Sequence, residues 1–146
     1  MKIKRKSKSA RAAQPACSGN RGRDEFTNTT KRLLAGMVGY RCSRPGCPNP
    51  TIGPKKGTAG VVTLGKAAHI TAAGKNGPRR NDALTSDERR HHSNGIWLCA
   101  KDADHVDIDD TYFTVKMLED WKKDAGERAF RELERPVGRS SSSRTT

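Results

Sequence analysis

Ala67-Ala68-His69-Ile70 and Asn94-Gly95-Ile96-Trp97-Leu98-Cys99 are the stretches on which the fold of this chain turns. Both are short apolar runs, and they predict buried extended segments, the second entered through a turn at Asn94-Gly95. Val61-Val62-Thr63-Leu64 reads the same way. Each of the two deciding runs also carries a polar residue, His69 in one and Asn94 in the other.

Working outward, Phe26, Thr30, Leu33, Leu34 and Met37 fall at helical spacing, and Gly39 is well placed to end that helix. Residues 48–60 are mostly Pro, Gly, Lys and Thr and read as a loop, as does the Gly- and Arg-rich stretch 74–81. Thr85-Ser86-Asp87-Glu88 has capping-box form and predicts a short helix to about His92. A last helix starts near Thr114, with Val115, Leu118, Trp121, Lys122 and Ala125 on one face and Trp121 as its anchor. The elements predict an α+β domain over 24–132, between a basic tail at 1–23 and a Ser/Arg tail at 133–146.

Three of the four cysteines need an explanation; the other, Cys17, lies in the tail. Cys42 and Cys47 flank a Pro45-Gly46 turn, and Cys99 has Asp102 three residues after it. In a reducing compartment such thiols are free or bind metal. Cys42, Cys47, Cys99 and Asp102 can close a tetrahedral site for structural zinc, with a water or His105 as other fourth ligands. The competing reading is three cysteines buried as small hydrophobes.

The chain has 146 residues, 32% hydrophobic and 31% charged. That length suits one domain, and so lean a core would gain from a metal or a bound partner. The net charge is +13, which implies an anionic partner, most commonly a polyphosphate. Residues 1–23 hold eight Lys/Arg and no acid, too little apolar surface to offset ordering. The tail is therefore expected to be disordered and to supply affinity for nucleic acid, or else merely to solubilise. No apolar run approaches the roughly 20 residues of a membrane span, and the basic start leads into no secretory signal. A cytoplasmic protein is expected.

Asp24-Glu25-Phe26, Val38-Gly39-Tyr40-Arg41-Cys42-Ser43, Ala67 to Ala73, Gly77-Pro78-Arg79, Glu88-Arg89-Arg90, Asn94 to Cys99 and Trp121-Lys122 together resemble a bacterial and phage HNH endonuclease-like family over about residues 24–130. The resemblance implies a ββα-metal fold with flanking helices and a zinc knuckle. It implies that His69 is the general base activating water and that Asn94 orients its strand. It also implies a catalytic Mg or Mn ion, for which Asp107 and His105, and less closely Asp109, are the candidate ligands. Double-stranded DNA is the implied substrate, in a bacterial cytoplasm or nucleoid. The chain departs from the family at Ala68, at Ala103 in the third motif position, and at Asp102 where Cys or His is usual. For Asp107, His105 and Asp109 the competing reading is a solvated turn.

Lys66, Lys75, Arg79 and Arg80 flank the His69 strand and are candidates to clamp a nucleic-acid backbone, with Arg89 and Arg90 beyond them. His91 and His92 read mainly as surface. With few aromatics to stack on bases, duplex backbone recognition is favoured. The alternative to an endonuclease is a catalytically degenerate zinc-knuckle module that binds nucleic acid.

Overall fold

The computed structural model describes residues 23–136, position 48 excepted. Cys17 and the disorder expected of the tails lie outside the described residues. At the boundaries, Arg23 already bridges to Gly74, and the last helix runs through Leu133.

The described residues form four α-helices and two small antiparallel sheets. Helix α1 (Asn28–Met37) starts after Phe26, with the Thr27 hydroxyl accepting from the Thr30 amide. It ends as its glycine predicts. Gly39 sits at φ +63°, and the Tyr40 amide donates back to the Ala35 carbonyl at 2.8 Å. That pairing satisfies carbonyls the helix would otherwise leave open.

Strand β1 (Ile52–Pro54), within what reads as a loop, pairs with the expected extended segment β2 (Val61–Thr63) in a hairpin. The burial expected of Val61 to Leu64 is corrected here. All four are exposed, because among the described residues no second layer covers this hairpin. Strand β3 (Gly65–His69) pairs with β4 (Gly95–Cys99), placing His69 opposite Gly95 and Gly65 opposite Cys99. Between them stands α2 (Ser86–Arg90), begun by the predicted capping box, followed by a 3-10 turn over His92–Asn94.

Strand β4 is the centre of the domain, buried along its whole length. Alternate side chains point to opposite faces. Ile96 and Leu98 pack with Val106, Phe113 and Leu118, whereas Trp97 packs with Phe26, Leu34 and Ala125. At Gly95 a Cβ would come within 2.5 Å of Leu34 Cδ1, so α1 can approach the strand only over a glycine. Immediately after β4, α3 (Ala100–Ile108) packs against both strands. This helix replaces the solvated turn considered for Asp107 and His105. Its Ala103 and Val106 are buried, and Asp102 complements its N-terminus. Helix α4 (Val115–Leu133) then crosses behind β4, beginning after Thr114 as expected, whose side chain caps it.

Candidate active site and metal centre

Three contacts define the setting of His69. Its Nε2 lies 2.8 Å from the Asp24 carbonyl oxygen. A carbonyl can only accept, so Nε2 carries the proton and the lone pair belongs to Nδ1. The ring stacks on Phe26, with centroids 3.9 Å apart and planes 7° from parallel. His69 lines a cleft of about 560 Å³ with Asp107, Glu25, Asn76 and Gly77. Burial lowers the His69 pKa, against the opposing pull of the Asp24 carbonyl and Glu25. The neutral imidazole therefore persists below the usual imidazole range. Burial raises the Asp107 carboxyl, with Arg79 opposing it.

Asn94 is buried and spends its whole amide on the chain around the cleft. Its Oδ1 accepts from the Thr71 amide at 3.0 Å and the Thr71 hydroxyl at 2.9 Å. Its Nδ2 donates to the carbonyls of Thr71 and Arg89, at 3.0 and 3.1 Å. The Asn94 carbonyl also receives the Ile70 amide at 2.8 Å. The residue thus fixes the chain leaving His69 relative to β4 and α2. Asn94→Ala strands buried donors and acceptors together and should cost about 2–4 kcal/mol. A urea melt reads this directly, and an unchanged midpoint would mean that the loop is held by other groups.

The basic residues divide by environment. Arg79 is not free to clamp phosphate: its side chain is 5% exposed. Its guanidinium donates to the carbonyls of Ile70 at 2.8 Å and Val106 at 2.7 Å, and to Asp107 at 3.2 Å. Arg89 is likewise internal, paired with Asp24 Oδ2 at 2.7 Å and donating to the Leu84 carbonyl. Arg80 donates to Asp82 and to the carbonyls of Ala72 and Ala73. These three reinforce the walls of the cleft, because loops leaving a strand carry unpaired carbonyls that guanidinium groups satisfy. Arg90, half exposed, joins Asp24 at 3.2 Å, while Lys66 pairs on the surface with Asp104. Lys75 is exposed.

His105 is not brought to the His69 cleft. It faces the other side of α3, with Nδ1 3.1 Å from Arg44 Nη1 and its ring edge-on to Phe113. As a ligand for a metal beside His69 it is therefore excluded by position. Asp109 lies at the exposed end of α3. His91 is exposed as expected, whereas His92 is half-buried.

Cys42, Cys47, Cys99 and Asp102 converge, their ligand atoms all within 4.8 Å of one another. Among the described residues, this is the one group of three or more such ligands so arranged. The Cys42 and Cys99 thiols donate to Asp102 Oδ2 at 3.3 and 3.2 Å, and Arg44 pairs with Oδ1 at 3.0 Å. Burial pushes both thiols above their usual range. Burial opposes the Asp102 carboxylate, but hydrogen bonds from Cys99, Cys42, Arg44 and Cys47 outweigh it and lower its pKa. The cluster could hold a metal ion such as zinc, for which tetrahedral thiolates lie about 3.8 Å apart. It ties the turn after α1 to the end of β4 and the first turn of α3.

No family model and no curated protein matches this chain. The site is accordingly read from its own chemistry. Sequence reasoning missed Asp24, which reaches His69 through its carbonyl and both Arg89 and Arg90 through its carboxylate. It also missed the stacking role of Phe26 and the position of Glu25 in the cleft. The available signal was an acidic pair followed by a lone aromatic just before a helix cap.

Proposed function

We propose that this protein is a metal-dependent endonuclease of the HNH type that hydrolyses phosphodiester bonds of DNA. The β3–β4–α3 unit is its ββα-metal core, and the cysteine cluster is its zinc knuckle. The observation that carries the reading is the fixed tautomer of His69. With Nε2–H held by the Asp24 carbonyl, Nδ1 is the basic atom of a histidine that lines an open cleft together with Asp107.

In this reading Nδ1 accepts a proton from the attacking water, and burial keeps the imidazole neutral for that task. Asn94 and Arg79 hold the chain that leaves the base. Magnesium takes one or two carboxylates and completes its shell with water and substrate phosphate, so Asp107, with Glu25 in the same cleft, suits it in kind. When bound, such an ion would offset the charge developing on the phosphate.

A second reading, a nucleic-acid-binding module without catalysis, is favoured by one observation. Ala103, at the third motif position, is buried in the core and offers no ligand. Incubating the protein with supercoiled plasmid, with and without Mg or Mn, separates the two. Metal-dependent nicking is expected. Binding to the plasmid with no nicking in either metal would favour the second reading and overturn the first.

A further inference from the structure

A second concavity, of about 870 Å³, runs between α1 and the β1–β2 hairpin. Lys31 and Arg32 line it from α1 and Lys66 from β3, while Tyr40, Ile52 and Val61 give it an apolar floor. Lys31 and Arg32 are exposed and join no ion pair among the described residues. The one acid on its rim among the described residues, Glu25, is paired with Arg23 at 2.7 Å. Glu25 and Ala67 line both this groove and the His69 cleft, so the two form one continuous surface. Lys55 and Lys56 add charge at the turn of the hairpin. Three of the arginines that flank the cleft in sequence are meanwhile engaged internally.

We infer that this groove carries the sugar–phosphate backbone of duplex DNA to one side of the bond held at His69. The inference rests on the nuclease reading for the position of that bond. Polyanion chemistry fits the groove in two respects. Lys31 and Arg32 are free to meet phosphate and Lys66 can exchange its surface pair with Asp104 for one, and the exposed Ile52, Val61 and Tyr40 can pack against deoxyribose. The charge belongs to the folded domain and is separate from that of residues 1–23.

The test compares two triple variants of the full chain: Lys31→Gln/Arg32→Gln/Lys66→Gln in the groove, and Lys101→Gln/Lys123→Gln/Arg131→Gln, none of which lines it. Binding of a fluorescent duplex is followed by anisotropy across a salt series without added Mg or Mn. Plasmid cutting with Mg or Mn is measured in parallel. Each lost phosphate contact flattens the log–log salt slope by about 0.9, so the groove variant should lose about 2.7 units. The control variant should lose less than about 1 unit. Equal loss in both variants overturns the groove assignment while leaving the nuclease reading intact. A groove effect on binding without cutting by the parent chain keeps the groove and overturns the nuclease. A dimer that dissociates on Val61→Asp, with DNA binding unchanged, would instead assign the groove to a second copy. Absence of DNA binding overturns both.

Discussion

Replacing His69 with alanine should lower metal-dependent plasmid nicking by about 10²–10⁴-fold, the usual contribution of a general base. The loss should appear in the turnover rate, with DNA affinity nearly unchanged, because His69 adds no charge to the binding surface at neutral pH. The pH profile tests the same assignment independently. Only the neutral imidazole accepts a proton, so the rate should fall as pH drops through the His69 pKa. Burial moves that pKa down, which places the acid limb below the ordinary imidazole value of about 6.5. Phe26→Ala removes the stacked ring and exposes the imidazole, so it should shift the limb back toward that value. A folded His69→Ala protein that nicks at the parent rate would remove His69 from the mechanism.

The second large effect is expected from a chelator acting on the cysteine cluster, which could hold zinc. The cluster joins three segments in a domain with a lean core, and structural zinc contributes its binding free energy to folding. A strong chelator should cost about 3 kcal/mol or more, lowering the melting temperature by roughly 10 °C or more in a domain of this size. Cys42→Ser should reproduce most of that loss, since Cys42 is fully buried and cannot be replaced by solvent. Asp102→Cys should tighten zinc binding, because a fourth thiolate suits the ion better than a carboxylate oxygen does. It also leaves Arg44 an anionic partner. Folded protein with no metal by elemental analysis, and no response to chelator, would leave three buried thiols hydrogen-bonded to a carboxylate.

Much of this architecture was legible locally. Gly39 ends α1, Thr85 and Glu88 begin α2, and Thr114 begins α4, because each acts on backbone groups within one turn of itself. The spacing of Cys42, Cys47, Cys99 and Asp102 likewise announced a cluster that the fold assembles. Helix α3 was hidden by its own composition. Four aspartates between Asp102 and Asp109 look like a solvated turn, and only Ala103 and Val106 mark its buried face.

The sequence by itself determined where α1 ends, where α2 and α4 begin, and which sulfur and oxygen ligands can meet. It could not rank the charged residues. Lys31 and Arg79 have the same sign and comparable length, yet one stays exposed while the other disappears into the wall of the cleft. The difference lies in partners far along the chain. Arg79 is held by carbonyls 9 and 27 residues away, and Asp24 meets His69 across 45. Caps and turns are read from neighbours in sequence, whereas a guanidinium or an imidazole takes its role from whichever carbonyls the packing of β4 against α1 and α3 brings within reach. Tertiary structure alone decided that Arg79 and Arg89 shape the site and that the open basic surface lies along α1 and the hairpin.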